Sequence, residues 1–206
     1  MHDEDFKVAL EYLSNKDAVM ASLAKKLGSF HYINDMTPYE ALIQGIIYQQ
    51  LSSKAASAIY RRFLNLFQGR TPDPEELLRT HSSKIRSIGI MQRKIEYMKD
   101  VARVALEGRL ELARLNSLND DQLLKELDKI KGVGEWTIHM LMIFILGRKD
   151  VFPAKDLGIR KAISKLYSLE RVPSEAEALK FSERWKPYRT YASLLLWRSF
   201  DTRPWP

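Results

Sequence analysis

The chain is predicted to be all-α, and three observations carry the prediction. Leucine far outnumbers valine, segments with apolar spacing near 3.6 follow one another with short breaks, and no run of alternating strand residues interrupts them. A length of 206 residues suits one compact unit over 1–206, built as two closely packed helical lobes with a cleft between them. Neither a repeat of fixed period nor a low-complexity linker divides it.

The elements follow in order. The opening stretch, MHDEDFKVALEYL, is acidic and amphipathic, and residues 1–36 read as N-terminal helices that complete the fold. Thr37, Pro38 and Glu40 form a capping-box start for a helix to about Gln50, with proline at the first helical position. Ser52 or Ser53 caps the next helix, which stops near Gln68 and Gly69. TPDPEE at 71–76 starts a short helix by the same logic. After Gly89 a long amphipathic helix runs from about Met91 to Glu107 and ends at Gly108.

Asn119 and Asp120 cap a helix carrying Leu123, Leu124, Leu127 and Ile130, which ends in KGVG at 131–134. Another helix begins at once with Glu135 and runs to Gly147. Asp156 stands as an N-cap before LGIRKAISKLY, Ser174 and Glu177 form a further capping box, and a last helix begins just after Pro187.

Composition excludes several classes of function. Lys plus Arg number 33 against 26 Asp plus Glu, a net charge of +7, which favours an acidic partner: nucleic acid first, an anionic membrane surface second. There is no cysteine, so disulfides, thiol nucleophiles, Cys-ligated zinc and iron-sulfur clusters are ruled out, and four scattered histidines give no expectation of a metal site. The start lacks the basic and apolar regions of a secretory signal, so an intracellular protein is expected. The longest apolar stretch, Trp136 to Leu146, falls short of the ~20 residues needed to cross a bilayer and reads as a buried helix.

The most informative segment runs from Leu127 to Leu157. Two helices joined by GVG leave no room for a side chain at the turn, because Gly132 and Gly134 can take backbone angles that other residues avoid. Amides at the start of the second helix then point outward and can hold a phosphate, and Lys131 adds charge. On GxG alone an ordinary tight turn between helices is the better reading. Ile130 and Val133 pin the hairpin, and Asp156 follows 24 positions after Gly132.

These residues resemble the helix-hairpin-helix DNA glycosylases (HhH-GPD superfamily), which pair a Gly-rich hairpin with a downstream aspartate and include endonuclease III. The similarity is greatest to the alkylated-base branch of 3-methyladenine DNA glycosylase II, which carries a tryptophan where this chain has Trp136. EALIQGIIYQQLSSKAA at 40–56, IRSIGIMQRKIEYMKDVARVALEG at 85–108 and RWKPYRTYASLLLW at 184–197 extend it over roughly Thr37 to Phe200. The hairpin itself corresponds to about 120–147.

The resemblance implies that Asp156 is the catalytic aspartate of a base-excision repair enzyme. It also implies a monofunctional one, since bifunctional relatives place an imine-forming lysine at the position of Trp136 and an indole cannot do that chemistry. Neither Lys131 nor Lys155 matches the position of that lysine. By the same similarity Trp136, Trp197, Met140 and Leu157 are substrate-binding residues, with Met140 and Leu157 standing where relatives have aromatics. Gln50 fills the hole left by the flipped base, with Leu51 as the other candidate. Lys131, Gly132, Val133, Gly134 and Thr137 contact DNA.

The implied partner is double-stranded DNA carrying damaged bases, with no membrane and with the protein a monomer, in the cytoplasm and nucleoid of a bacterium or the nucleus of a eukaryote. No cofactor is expected, although hairpins of this family can hold a monovalent cation through backbone carbonyls. Longer bacterial relatives carry an N-terminal β-rich domain that this chain is expected to lack. Two alternatives remain open at this point: a glycosylase for deaminated, oxidised or mismatched bases, and a non-catalytic module that grips DNA phosphates.

Overall fold

A computed structural model describes residues 3–28 and 35–200. Among them every regular element is helical, as the leucine-rich periodicity predicts. The chain divides into two compact units. One takes the described residues up to 28 together with those from Met142 onward, and the other runs from Asp35 to Leu141. The parts of the N-terminal segment at 1–2 and 29–34 lie outside the described residues.

The discontinuous unit begins with α1 (Asp3–Lys16) and α2 (Ala18–Leu27) and resumes with α11 (Leu157–Leu166), α12 (Glu175–Ser182), a 3-10 turn (Glu183–Trp185) and α13 (Arg189–Ser199). Its core holds Phe6, Leu13 and Met20 from the start of the chain against Ile159, Ile163, Trp185, Tyr191 and Leu195 from its end, all buried. Asp17 breaks the first amphipathic stretch in two. Its carboxylate accepts from the amides of Val19 (2.9 Å) and Met20 (3.2 Å) as the N-cap of α2, and also from Tyr167 Oη (2.7 Å) and Trp185 Nε1 (3.0 Å). Four donors satisfy a carboxylate that is only 8% exposed, as a buried charge requires. Burial, reinforced by Asp17, raises the Tyr167 phenol well above its ordinary range.

The continuous unit holds α3 (Pro38–Tyr48), α4 (Ser53–Leu66), α5 (Pro74–Arg79), α6 (Ser82–Ser87), α7 (Gln92–Leu106), α8 (Leu112–Ser117) and α9 (Asp120–Leu127), and it includes most of α10 (Glu135–Phe144). Helix α3 is buried on almost every side, which marks a central helix although it carries Glu40 and Gln44, and Leu42, Ile43, Ile46 and Ile47 are fully buried. It packs on α7 through that helix's apolar stripe of Ile95, Met98, Val101 and Ala102, and on α4.

The expected caps form. Thr37 and Glu40, Asn119 and Gln122, and Ser174 and Glu177 each make reciprocal capping boxes, and Ser52 caps α4 by accepting from the Ala55 amide. At the TPDPEE start, Asp73 occupies the cap position without a side-chain bond. No described helix is long and apolar enough to cross a membrane.

Candidate functional site

The hairpin lies within the continuous unit. Helix α9 ends at Leu127, and the chain turns through bonds from the Ile130 amide to Leu127 O (3.0 Å) and from the Val133 amide to Ile130 O (3.1 Å). Ile130 and Val133 are buried at 2% and 3% exposure, so they pin the turn as expected. Only one of the two glycines is required by the geometry. Gly132 has φ +80°, and a Cβ there would fall 2.2 Å from Tyr97 Cδ2, overlapping that ring. Gly134 has neither a positive φ nor any atom within 4 Å of where its Cβ would stand, which departs from the expectation for the pair.

Helix α7 lies beneath this turn, holding it at two points and the end of α3 at a third along one face. Tyr97 packs under Gly132, with the Arg93 guanidinium over the phenol ring and bonded to its hydroxyl. One turn on, Asp100 Oδ2 accepts the Lys131 amide (3.0 Å), so that amide is turned inward while the Lys131 side chain is exposed. One turn back, Lys94 Nζ donates to Ile47 O and Gln49 O, both at 2.7 Å, at the end of α3. Gln49 Nε2 in turn donates to Gly132 O (2.8 Å). An open groove of about 500 Å³ runs between these pieces, lined by Arg93, Lys129 and Lys131 among others.

Gln50, between α3 and α4, is exposed and carries φ +58°, a left-handed conformation that an L-residue adopts at a cost of about 1–2 kcal/mol. Leu51 beside it is 37% exposed. Past the hairpin, the Ile138 amide bonds to Gly134 O, and Trp136 is half-buried in the first turn of α10. Thr137 is 3% exposed and Met140 fully buried, so both face the interior of the helix packing.

Asp156 lies in the other unit. It is half-buried at the N-cap of α11, and its Oδ1 accepts both the Ile159 amide (2.9 Å) and the indole Nε1 of Trp197 (3.1 Å). Trp197 is 3% exposed and its ring lies 5.8 Å from that of Phe144. The Asp156 turn is itself tied down. The Thr190 hydroxyl donates to Arg148 O (2.7 Å) and accepts the Val151 amide (3.0 Å), and Arg189 grips the Asp150 carboxylate through Nε and Nη2, both at 2.9 Å. The start of α13 thus fixes the segment leading to Asp156, and the ninth residue of the same helix, Trp197, bonds the carboxylate. Gly158 leaves the space: a Cβ there would lie 2.9 Å from Asp156 Oδ1 and 3.8 Å from Trp197 Cδ1. Leu157 is 49% exposed beside it.

Sequence reasoning found Asp156 and Trp197 separately and missed their bond, and it missed Lys94, Gln49, Tyr97, Asp100 and Gly158 altogether. A signal existed only for α7, where Lys94, Tyr97 and Asp100 share a face at helical spacing. Among the described residues no group of three or more His, Asp or Glu side chains could hold a metal ion.

Residues 43–187 match the HhH-GPD superfamily of base excision DNA repair proteins, and the chain belongs to that family. Among individual proteins, the chain is 37% identical over 193 residues to a Schizosaccharomyces pombe protein named DNA-3-methyladenine glycosylase 1, covering 91% of this chain and 85% of that one. It is 32% identical to the alkylbase DNA glycosidase-like protein mag2 of the same yeast, over 95% of this chain and 94% of that one. A solved structure of a Schizosaccharomyces pombe 3-methyladenine DNA glycosylase in complex with abasic DNA superposes with a TM-score of 0.86 at 36% identity, covering 96% of this chain and 98% of that one.

Proposed function

We propose that the chain is a monofunctional DNA glycosylase that removes alkylated purines of the 3-methyladenine and 7-methylguanine type from duplex DNA. The observation that carries this is the Asp156 carboxylate, half-buried and oriented by two donors on one oxygen, in a chain whose hairpin matches the family. The base is swung out of the stack, because its glycosidic bond cannot be reached inside a duplex. The C1′–N bond then breaks with its electron pair going to the base. Methylation has made that base cationic, so it departs neutral and needs little acid help. Positive charge develops on the sugar, where the Asp156 carboxylate stabilises it and orients a water whose oxygen bonds to C1′, its proton passing to the carboxylate or to solvent.

The remaining roles follow the geometry. The Trp197 N–H holds Asp156, and its ring, with Trp136 and Leu157, belongs to the base-recognition set, whereas Met140, fully buried, serves the packing of α10 rather than the base. An indole face attracts a cationic purine by about 0.5–2 kcal/mol, enough to rank damaged over normal bases but too little to reject normal ones unaided. Gln50, with Leu51, enters the space the base vacates. Lys131 and the hairpin backbone from Gly132 to Gly134 take DNA phosphates, with Thr137 supporting the start of α10 from inside. Trp136 offers no amine, so hydrolysis leaves an intact strand with an abasic site.

The test is base release. Methylated duplex incubated with the protein is expected to yield free 3-methyladenine and 7-methylguanine by chromatography, with no strand nick, while deaminated and oxidised duplexes yield little. Release chiefly from the latter two, or none from any, overturns the proposal.

A further inference from the structure

The tip formed by Gln50 and Leu51 is held at both sides by groups that have no contact with the reaction. Gln49 is fixed three ways: its amide bonds to Gly45 O (3.1 Å), its carbonyl accepts Lys94 Nζ (2.7 Å), and its side chain donates to Gly132 O (2.8 Å). After the tip, the Leu51 amide returns to Tyr48 O (3.3 Å). Between these anchors Gln50 is forced into the left-handed region, exposed and projecting.

Lys94 is the unusual member. Lysine is rarely this enclosed, yet here the residue is 7% exposed, and its ammonium caps the carbonyls of Ile47 and Gln49 at the negative end of α3. Burial lowers its pKa from the ordinary lysine value. A side chain used only to fill this space would be apolar. A buried cation spanning two carbonyls fixes an angle as well as a volume.

We infer that Lys94 is a positioning residue: with Gln49 it locks the Gln50 tip to the Gly132 turn, so that the group entering the duplex and the group gripping its phosphates move as one rigid body. This rests on the wedge role proposed above for Gln50. On this view α7 sets the geometry of the interface, holding the hairpin through Tyr97 and Asp100 and the tip through Lys94.

The experiment measures binding of the full-length protein to two duplexes of one sequence, one intact and one carrying a tetrahydrofuran abasic-site analogue, by fluorescence anisotropy across a salt series. A wedge that fills the gap makes the wild type prefer the abasic duplex, and Gln50→Ala lowers that preference. Lys94→Met and Gln49→Ala are each expected to lower it about fivefold or more, the scale of a buried hydrogen-bonding group left unpaired. Intact-duplex affinity and its salt slope stay unchanged. Combining Lys94→Met with Gln50→Ala should cost nothing beyond Gln50→Ala alone, because both act through one element.

A preference unchanged in Lys94→Met and Gln49→Ala overturns the inference. So does a loss of intact-duplex affinity with a salt slope shallower by about one, which would make Lys94 a phosphate contact. Additive losses in the double variant likewise overturn it, since they would mean a general weakening. Should Lys94→Met fail to fold, the half-buried Gln49→Ala and its combination with Gln50→Ala decide alone. A wild type that shows no preference, or that Gln50→Ala leaves unaltered, refutes the wedge reading instead, a result distinct from any of these.

Discussion

The hairpin and the Asp156 turn reach a fixed geometry by opposite means. At the hairpin the backbone is the working part, and it is held by shape: Gly132 has no Cβ because the Tyr97 ring occupies that space, and Asp100 and Gln49 take up the amide before the glycine and the carbonyl of the glycine itself. At the turn a side chain is the working part, and it is held by donors: one oxygen of Asp156 accepts two hydrogen bonds, from Ile159 and Trp197. A region held by shape should fail as a fold when changed. One held by donors should keep its fold and lose its chemistry, and the contrast can be broken from either side.

The largest effect is expected at Asp156. Asn caps a helix about as well as Asp and keeps an oxygen for Ile159 and Trp197, so Asp156→Asn should unfold at the wild-type temperature. Its charge is gone, and base release in single turnover should fall by about 10²–10⁴, the usual scale for a positioned acid-base or charge-stabilising group. Activity near wild type, or a large drop in melting temperature, would place the role of Asp156 in folding and erase the contrast.

Gly132→Ala should do the reverse. The left-handed backbone costs an alanine about 1–2 kcal/mol and the overlap with Tyr97 about 1–3 more, so thermal denaturation should show a loss of roughly 2–5 kcal/mol. Gly134→Ala, with open space and no positive φ, should be near neutral and serves as the control. Adding Tyr97→Ala to Gly132→Ala should recover the part due to overlap and leave the part due to φ.

Gly158 tests the comparison within a single residue. It lies in the first turn of α11, where alanine is the better helix former by up to about 1 kcal/mol. Its Cβ would press on Asp156 Oδ1 and approach Trp197. Gly158→Ala should therefore unfold at or above the wild-type temperature while base release slows about tenfold, since small displacements at a reacting group are costly. Loss of stability together with activity would mean that the turn, like the hairpin, is held by shape.

What the sequence disclosed divides along the same line. The capping boxes at Thr37 and Ser174 were legible because a cap and its partner lie three residues apart, whereas at Asn119 only the cap was read and its partner Gln122 was not. Helices α6 and α8 were not, since six residues are too few to display a period. Asp156 could be read as a cap from its place ahead of an apolar run and as catalytic only through the family resemblance, and the indole that orients it comes from 41 residues away. Lys94 read as one more charge on an amphipathic helix, because nothing local distinguishes a lysine facing solvent from one capping carbonyls 45 and 47 residues earlier. Gly132 and Gly134 looked alike for the same reason: the Tyr97 ring that separates them is supplied by another helix.

The smallest effect concerns what holds the hairpin from behind. Glu126, at the end of α9, bonds Arg109 (2.8 Å), Arg114 (3.3 Å) and Lys129 (3.4 Å), and its side chain is only 19% exposed. The Arg109 hydrogen bond, more than any other cause, holds its carboxyl below the usual glutamate range. A carboxylate whose pKa is depressed by folding stabilises the native state above its unfolded pKa, and the contribution disappears as pH falls through the folded value. At neutral pH the wild type should exceed Glu126→Gln by about 0.5–1 kcal/mol, the range for a partly exposed ion pair. The difference in melting temperature between the two should hold from pH 7 to about 5 and shrink progressively below about 4.5, as first the unfolded and then the folded carboxyl protonates. Titrating the difference between the two proteins cancels the other carboxylates, which change alike in both. If the hairpin is held by shape alone, that pH-dependent loss should appear in the melting temperature and leave the preference for abasic over intact duplex untouched when Glu126→Gln is measured at neutral pH.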